Sequence, residues 1–359
     1  MLPTTMQGVV LKAPFKVAVE EVPYPSIRDT GDVVIKVLYS GLCGSDLHCY
    51  RGHEGQVTGY VLGHEAVGRI VEKGSGVEGF SIGELVLSPF SVSCGTCYYC
   101  QNSYTSRCES GVLLGTPDNP GAQAEYLRVP LASSSLVHLD PDLPPQLALL
   151  LCDILPTGVS VATNAKRLLD EERDVHTAEG KKGVCLVIGC GPVGLCAISA
   201  ATLLFDRVFA TDLTPSRLVS AERHGATALP LDKLLPAIHQ ATHGRGADAV
   251  LEVVGNPKAL DMAIQCVRPY GAISSCGVHN QSINLLGPVL YGKNLRFQFG
   301  RCSVKTFYPL SLEILKANLD LFSNFVEQSA PLEEAPIWYE RFEKGEIGKT
   351  VFVMEEKIR

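Results

Sequence analysis

The chain has no excess of basic charge: 31 Lys and Arg stand against 38 Asp and Glu, a formal net charge of −7 over 359 residues. A surface of that sign gives no electrostatic footprint for nucleic acid or for an anionic membrane, so neither is expected as a partner. Also lacking is any apolar run approaching the roughly 20 residues that a membrane-spanning helix needs. The first residues, Met1 to Gln7, do not combine a basic stretch with an apolar one, which leaves a cytoplasmic location as the expectation. Neither internal repeats nor low-complexity tracts are visible, which argues against solenoids and disordered tails. What remains is 46% hydrophobic and 19% charged, the balance of a globular protein. A chain of this length is expected to form two domains with real cores.

Cysteine and glycine are plentiful, at 13 and 34 residues. An odd number of cysteines scattered from Cys43 to Cys302 fits a reducing compartment, where thiols stay free for metal. Four of them crowd together as Cys94-x-x-Cys97-x-x-Cys100 followed, after seven residues, by Cys108. Successive Cys-x-x steps turn thiolates back toward one point, and a fourth arriving from the end of a short lobe completes a tetrahedral zinc shell. The alternative, ordinary buried or disulfide-bonded cysteines, does not account for so tight a cluster among Gly95, Thr96, Tyr98, Gln101, Asn102 and Ser103. Cys185, Cys190, Cys196, Cys266, Cys276 and Cys302 sit in apolar or glycine-rich contexts and read as small core residues.

From residue 7 to about 150 the chain is β-rich, with short alternating runs such as Val33 to Leu38 and Ala66 to Val71 between turn residues. Between about 183 and 300 the pattern changes. Strand-like runs at Val184–Ile188, Arg207–Thr211, Ala249–Val253 and Gly271–Ser275 alternate with helix-length segments at Val193–Leu204, Ser216–His224 and Pro257–Val267. That βαβ series implies a parallel, doubly wound sheet. Leu310–Leu321 reads as helix and Thr350–Met354 as a strand, both expected to return to the first domain. The densely charged stretch from Asn164 to Asp174, within a region running to 182, reads as a solvated helix end or insertion.

Gly189-Cys190-Gly191-Pro192-Val193-Gly194 follows an apolar strand and opens a helix, the context in which Gly-x-Gly-x-x-Gly signals a dinucleotide site. Gly189 permits the tight turn, Gly191 lets a pyrophosphate approach the backbone, and Gly194 allows close helix-to-strand packing. The start of that helix, Pro192-Val193-Gly194, then faces the phosphates, with Pro192 opening the first turn and the free N–H groups supplied from Val193 onward. Asp212 closes the second strand 23 residues after Gly189, where a carboxylate accepts hydrogen bonds from adenosine ribose hydroxyls and repels a 2′-phosphate. NAD is expected over NADP. Two observations leave this open: Arg217 could contact ribose or phosphate, and Asp212 could merely cap the helix that begins near Pro215.

Taken with Cys43-Gly44-Ser45-Asp46-Leu47-His48, Gly63-His64-Glu65 and Leu151-Cys152-Asp153-Ile154-Leu155-Pro156-Thr157-Gly158, these motifs resemble the zinc-dependent alcohol dehydrogenases of the medium-chain dehydrogenase/reductase family, over essentially the whole chain. The resemblance implies an α/β fold: a GroES-like β-rich catalytic domain (1–155 and 296–359, with a structural-zinc lobe at about 91–110) and a Rossmann doubly wound coenzyme domain (156–295). It implies two Zn²⁺ per chain and NAD. The catalytic zinc falls to Cys43, His64 and Asp153, with Glu65 nearby, and the structural zinc to Cys94, Cys97, Cys100 and Cys108. Aspartate at the third position departs from the cysteine of liver-type members and resembles the formaldehyde dehydrogenase branch; Cys152 is the rival ligand.

The same resemblance assigns Ser45 and His48 to proton transfer, Asp46 to orienting the histidine ligand, Thr157 and Val278 to the nicotinamide, Lys349 to the pyrophosphate, and Phe90 with Val278 to the substrate pocket. Gly44 departs from a phosphate-contacting arginine. The reaction implied is reversible hydride transfer between an alcohol, or an aldehyde hydrate, and NAD. Two other readings stand beside it: a polyol or amino-alcohol dehydrogenase, and a non-catalytic nicotinamide-binding or redox-sensing relative. Tyr291, Tyr308 and the loop after Val278 could shape a pocket for a bulky secondary alcohol. A homo-oligomer is expected, a tetramer over a dimer because the Cys108–Asp153 stretch is short.

Overall fold

Side chains that alternate between core and surface build the first of two units, Met1–Asp153 with Ser303–Arg359; the second is Ile154–Cys302. The structure is a computed structural model that describes residues 2–53, 55, 57–176 and 183–354. In the first unit the strand Val33–Leu42 is central. One side of it pairs antiparallel with Ala66–Lys73. On the other side, Tyr126–Val129 pairs with its first half and Lys349–Val353 with its second. The sheet continues outward through Leu85–Ser88 to Val137–His138 at one edge and ends in Val326–Pro331 at the other. Beneath it Ile35, Val37, Leu42, Ile70, Leu127 and Phe352 share one core, and the hairpin Thr5–Ala13 with Lys16–Pro23 adds Val9 and Leu11. Burial of such side chains contributes about 1.5–3 kcal/mol each.

The C-terminal strand returns to this unit as expected, with Thr350 opposite Leu42 and Val351 opposite Gly41. That register sets Lys349 against the end of the central strand. Gly41 leaves room there: a Cβ would lie 2.7 Å from both Glu65 Oε2 and Lys349 Nζ and force that buried pair to shift.

The second unit holds a six-stranded parallel sheet in the spatial order Thr227–Ala228, Arg207–Thr211, Val184–Ile188, Ala247–Glu252, Val267–Ser275, Arg296–Phe299. Two of these strands have the bounds read from the sequence. The order reverses between Val184–Ile188 and Ala247–Glu252, which makes their C-terminal ends the switch point where such sheets bind dinucleotides. Residues 296–302, assigned by the sequence to the first domain, belong here instead. Arg296–Phe299 pairs in register with Ala272–Ser275 and completes the sheet edge, a long-range pairing that no local pattern announces.

Ile154 and Leu155 also move into this unit, because they begin the helix Ile154–His176. That helix lies against Pro192–Leu204 at a glycine: a Cβ on Gly158 would sit 2.5 Å from Ala197 N. The charged stretch from Asn164 is the distal half of this helix, laced by Lys166–Asp170 at 2.5 Å and Arg167–Glu171 at 3.9 Å. Residues 177–182 lie outside those described. The helix Leu231–Thr242 was not read from the sequence, since Pro236 inside it is a helix-breaking signal.

Ser199 Oγ, on Pro192–Leu204, lies 2.8 Å from Nδ1 of His224, which ends the Pro215–Arg223 helix. Burial of the imidazole holds its pKa down at about 4. The unfolded chain protonates this ring near pH 6.5 and the folded one resists until about 4, so its contribution is complete above pH 6.5 and disappears as pH falls through 4. The span corresponds to about 3 kcal/mol. Urea titrations at pH 7 and 4.5 are expected to show this acid loss in the native protein and a smaller one in His224→Gln; equal slopes would refute it.

Candidate metal centre and coenzyme site

Cys43 leaves the central strand and stands at the start of the helix Gly44–Tyr50, where Asp46 Oδ2 accepts its backbone N–H at 2.9 Å. His64 and Glu65 directly precede the strand Ala66–Lys73, and Asp153 follows the turn Leu149–Cys152. These elements bring one ligand atom each from Cys43, His64, Glu65 and Asp153 within 4.8 Å of one another, all buried. Asp153 Oδ2 lies 3.4 Å from Cys43 Sγ and 3.3 Å from His64 Nε2. Zinc bond lengths in a tetrahedron require S···O and N···O edges of about 3.6 and 3.4 Å, so the two edges that meet at Asp153 already have the spacing of a coordination shell.

The surroundings define which atoms are offered. Asp46 Oδ1 is 3.3 Å from His64 Nδ1, a partner that would keep a proton on that nitrogen when Nε2 turns to a metal. Asp46 is held in turn by Gln123 Nε2 at 3.3 Å, and Gln123 Oε1 accepts from Tyr339 OH at 2.7 Å. Neither Gln123 nor Tyr339 was found from the sequence; no spacing motif connects them to the ligands. Cys152 is fully buried, but its thiol donates to the Ala66 carbonyl at 3.4 Å, and it stands outside the cluster that Asp153 joins. Asp153, and not Cys152, stands in the cluster.

Burial and the neighbouring Asp153 push the Cys43 thiol up. Burial opposes protonation of His64, yet Asp46 and Asp153 hold its pKa well above the ordinary value. Glu65 is raised by burial against the pull of Lys349. A pocket that retains protons on a thiol and an imidazole in this way has the electrostatics of a cation site, and one thiolate with one carboxylate balances a dication. The residues fit zinc.

Lys349 requires a correction. Expected at the coenzyme pyrophosphate, it is 0% exposed in its side chain, and Nζ donates to Glu65 Oε1 at 2.5 Å. Its strand, Lys349–Val353, brings the ammonium to Glu65, where it is buried rather than presented to solvent. Glu65 Oε2 has no partner among the described residues.

Ser45 is exposed on the Gly44–Tyr50 helix, with Oγ 3.9 Å from Cys43 Sγ. His48 is half-buried three residues on, its ring 5.9 Å from that of His53. Phe90 presents its ring edge-on to His64 at 6.3 Å, consistent with a pocket wall. Tyr308 is half-buried, its hydroxyl pushed up to about 12 by burial.

The second cluster forms a lobe closed by the short ladder Ser91–Val92 with Val112–Leu113. Sγ of Cys94 lies 4.0 Å from that of Cys100, and Sγ of Cys97 3.9 Å from that of Cys108. Zn–S bonds in a tetrahedron give S···S edges of about 3.8 Å, whereas a disulfide holds its sulfurs at about 2.05 Å. Cys94 Sγ accepts from the backbone and hydroxyl of Thr96, both at 3.5 Å, and from Cys97 N at 3.4 Å. Those bonds from Thr96 hold its pKa down at about 6, leaving a thiolate ready for metal.

In the coenzyme unit Gly189 turns at φ +97° after Val184–Ile188, a backbone shape that favours glycine. A Cβ on Gly194 would run into the Gly189 carbonyl, while one on Gly191 would meet nothing within 4 Å, so space is left at the N-terminus of the Pro192–Leu204 helix. Asp212 follows the next strand. Its Oδ2 accepts from Cys190 N and its Oδ1 from Thr214 N, both at 2.8 Å, and Arg217 Nη1 is 3.6 Å from Oδ2. It therefore ties the glycine loop to the following turn and still retains lone pairs for ribose. Thr157 is half-buried in the first turn of Ile154–His176, and Val278 is exposed in the loop after Val267–Ser275.

Comparison with known proteins agrees with this geometry. Residues 29–141 match the alcohol dehydrogenase GroES-like domain, and residues 192–315 match the zinc-binding dehydrogenase family. Zinc-type alcohol dehydrogenase B of Aspergillus flavus is 43% identical over 353 residues, 97% of this chain and 81% of that protein. The chain belongs to the zinc-dependent alcohol dehydrogenase family. A medium chain reductase/dehydrogenase of Acremonium sp. is 46% identical over 289 residues, 79% of this chain and 97% of its own. The alcohol dehydrogenase of Thermus sp. superposes with a TM-score of 0.88 at 35% identity, covering 98% of this chain and 100% of that one. This alcohol dehydrogenase is thus a zinc-dependent alcohol/carbonyl oxidoreductase with GroES-like and Rossmann-type architecture.

Removing the cation from a buried ion pair leaves an uncompensated charge at a cost of about 3–5 kcal/mol. Lys349→Met is therefore expected to lower the thermal midpoint of this dehydrogenase substantially, and Lys349→Met with Glu65→Gln to recover most of the loss. A single variant as stable as the native protein would show that the pair is not structural.

Proposed function

We propose that this dehydrogenase interconverts alcohols and carbonyl compounds with NAD as hydride acceptor, using a zinc held by Cys43, His64 and Asp153. The observation that carries the reading is the buried convergence of those three ligand atoms beside Glu65 within 4.8 Å. Zinc bound there would lower the pKa of an alcohol proton, and NAD would accept the hydride from its carbon. Cys43 and Asp153 supply the two negative charges, Asp46 fixes the tautomer of His64, and Lys349 holds one oxygen of Glu65. Ser45 takes the alcohol proton, and His48, three residues on along the same helix face, exchanges it with water.

NAD over NADP is supported by Asp212, whose carboxylate would repel a 2′-phosphate; Arg217 at 3.6 Å tempers that repulsion. The apolar ring of Phe90 beside His64 favours an alcohol with an apolar body over a polyol. The aspartate ligand supports kinship with the formaldehyde dehydrogenase branch, which adds aldehyde hydrates to the candidates. A cytoplasmic location and a homo-oligomer, tetramer over dimer, belong to the same reading.

Metal analysis is expected to return two zincs per chain, falling to one in Cys43→Ala or Asp153→Ala with native circular dichroism retained, and to one in Cys97→Ser by loss of the lobe ion. Turnover should fall at least a thousandfold in the first two. Ser45→Ala is expected to lower kcat by about 10²–10⁴ with zinc content unchanged. Nicotinamide absorbance across a panel from formaldehyde and ethanol through benzyl and secondary alcohols to sorbitol, with NAD⁺ and NADP⁺, completes the test. Two zincs retained in Asp153→Ala, or turnover confined to NADP⁺, would refute the ligand or the coenzyme assignment.

A further inference from the structure

At the C-terminal edge of the parallel sheet, beyond the switch point, Glu252 ends the strand Ala247–Glu252 with its carboxylate 0% exposed. Its Oε1 accepts the N–H groups of Val254 at 2.9 Å and Gly255 at 2.8 Å. Oε2 accepts the hydroxyl of Ser275, its register partner on the next strand, at 2.7 Å and lies 3.0 Å from His279 Nε2. Ser275 Oγ is 3.1 Å from the same nitrogen. One carboxylate thereby ties together the two loops that follow adjacent strands. Those loops lie backbone against backbone: a Cβ on Gly255 would sit 2.6 Å from both N and O of Val278.

His279 is four residues beyond its strand and only 8% exposed in its side chain, with its ring 5.7 Å from Phe299. Its Nδ1 is buried without a partner among the described residues. An apolar side chain would fill the place without that cost, so what the histidine supplies is the Nε2 bond to Glu252. Doubly wound sheets bind one half of a dinucleotide on each side of the switch point. Asp212 and the glycine loop occupy the side of the first two strands, and the tied loops 253–255 and 276–279 occupy the other.

We propose that Glu252, Ser275 and His279 form a latch, with His279 as the positioning residue, that holds these two loops in the shape required by the nicotinamide riboside half of the coenzyme. The inference rests on the NAD reading above. The latch acts on the coenzyme through the backbone around Val254, Gly277 and Val278 and leaves the adenosine half alone.

The test uses the full-length zinc-loaded protein and two ligands: NADH, and ADP, which lacks the nicotinamide riboside. His279→Leu is expected to raise the dissociation constant for NADH about tenfold, the scale of one lost hydrogen bond to a charged group, while that for ADP stays within about twofold, which also shows that the coenzyme unit is folded. His279→Gln, which can return an N–H to Glu252, is expected to recover most of the NADH affinity. Equal weakening of NADH and ADP, unchanged NADH binding in His279→Leu, or no recovery in His279→Gln would overturn the latch. If the native protein binds NADPH in place of NADH, the NAD reading fails by itself, and the same criteria apply to NADPH against 2′,5′-ADP; a native protein that binds none of these overturns both.

Discussion

Cys43, Asp46, Glu65 and Asp153 place a thiol and three carboxyl groups in one buried volume, and much of the first unit is arranged around holding that charge. Each group has its own counterweight. Asp46 faces the His64 imidazole and two N–H donors, Glu65 faces the Lys349 ammonium, and Cys43 with Asp153 is left to balance a metal. Taking ions out of water costs several kcal/mol apiece unless each is paired and hydrogen-bonded. The chain meets that cost with elements far apart in sequence, including a C-terminal strand whose first residue is the compensating lysine. The return of the last strand to the first sheet thus has an electrostatic role as well as a topological one.

Glycine makes these approaches possible in both units. Gly41 leaves room for the Glu65–Lys349 pair, and Gly158 lets two helices meet at backbone distance. In the loop after Val184–Ile188 the three glycines are not equivalent. Gly189 is required by its positive φ and Gly194 by the carbonyl it faces, whereas only the space beside Gly191 stays open. A single motif therefore combines two packing constraints with one vacancy of the size and polarity that a pyrophosphate needs.

The features legible in the sequence are those set by local spacing. The four-cysteine lobe, the glycine loop and the strand bounds Val184–Ile188 and Arg207–Thr211 all depend on residues a few positions apart. Features that arise only when distant segments meet were not legible. Lys349 was placed with the phosphate by resemblance, whereas its partner in the structure is Glu65, reached because Thr350 and Val351 of its strand pair with Leu42 and Gly41 across some 300 residues of chain. Arg296–Phe299 was assigned to the wrong unit because a short edge strand has no periodicity of its own to read. Gln123, Tyr339 and Glu252 belong to no motif; only their burial and their partners single them out.

The aspartate at position 153 illustrates how a local choice sets chemistry. Replacing a second thiolate with a carboxylate preserves the charge balance of a zinc site but changes its donor character, since oxygen is harder than sulfur and releases less electron density to the metal. A metal with one thiolate withdraws more strongly from its remaining ligand than a metal with two. A thiol is available one residue earlier, yet Cys152 commits its proton to the Ala66 carbonyl and takes no part. The fold has thus excluded the softer ligand by satisfying it elsewhere. A zinc held on the proposed ligand set would be the more acidic for it, and would depend on Cys152 staying turned away as much as on Asp153 being in place.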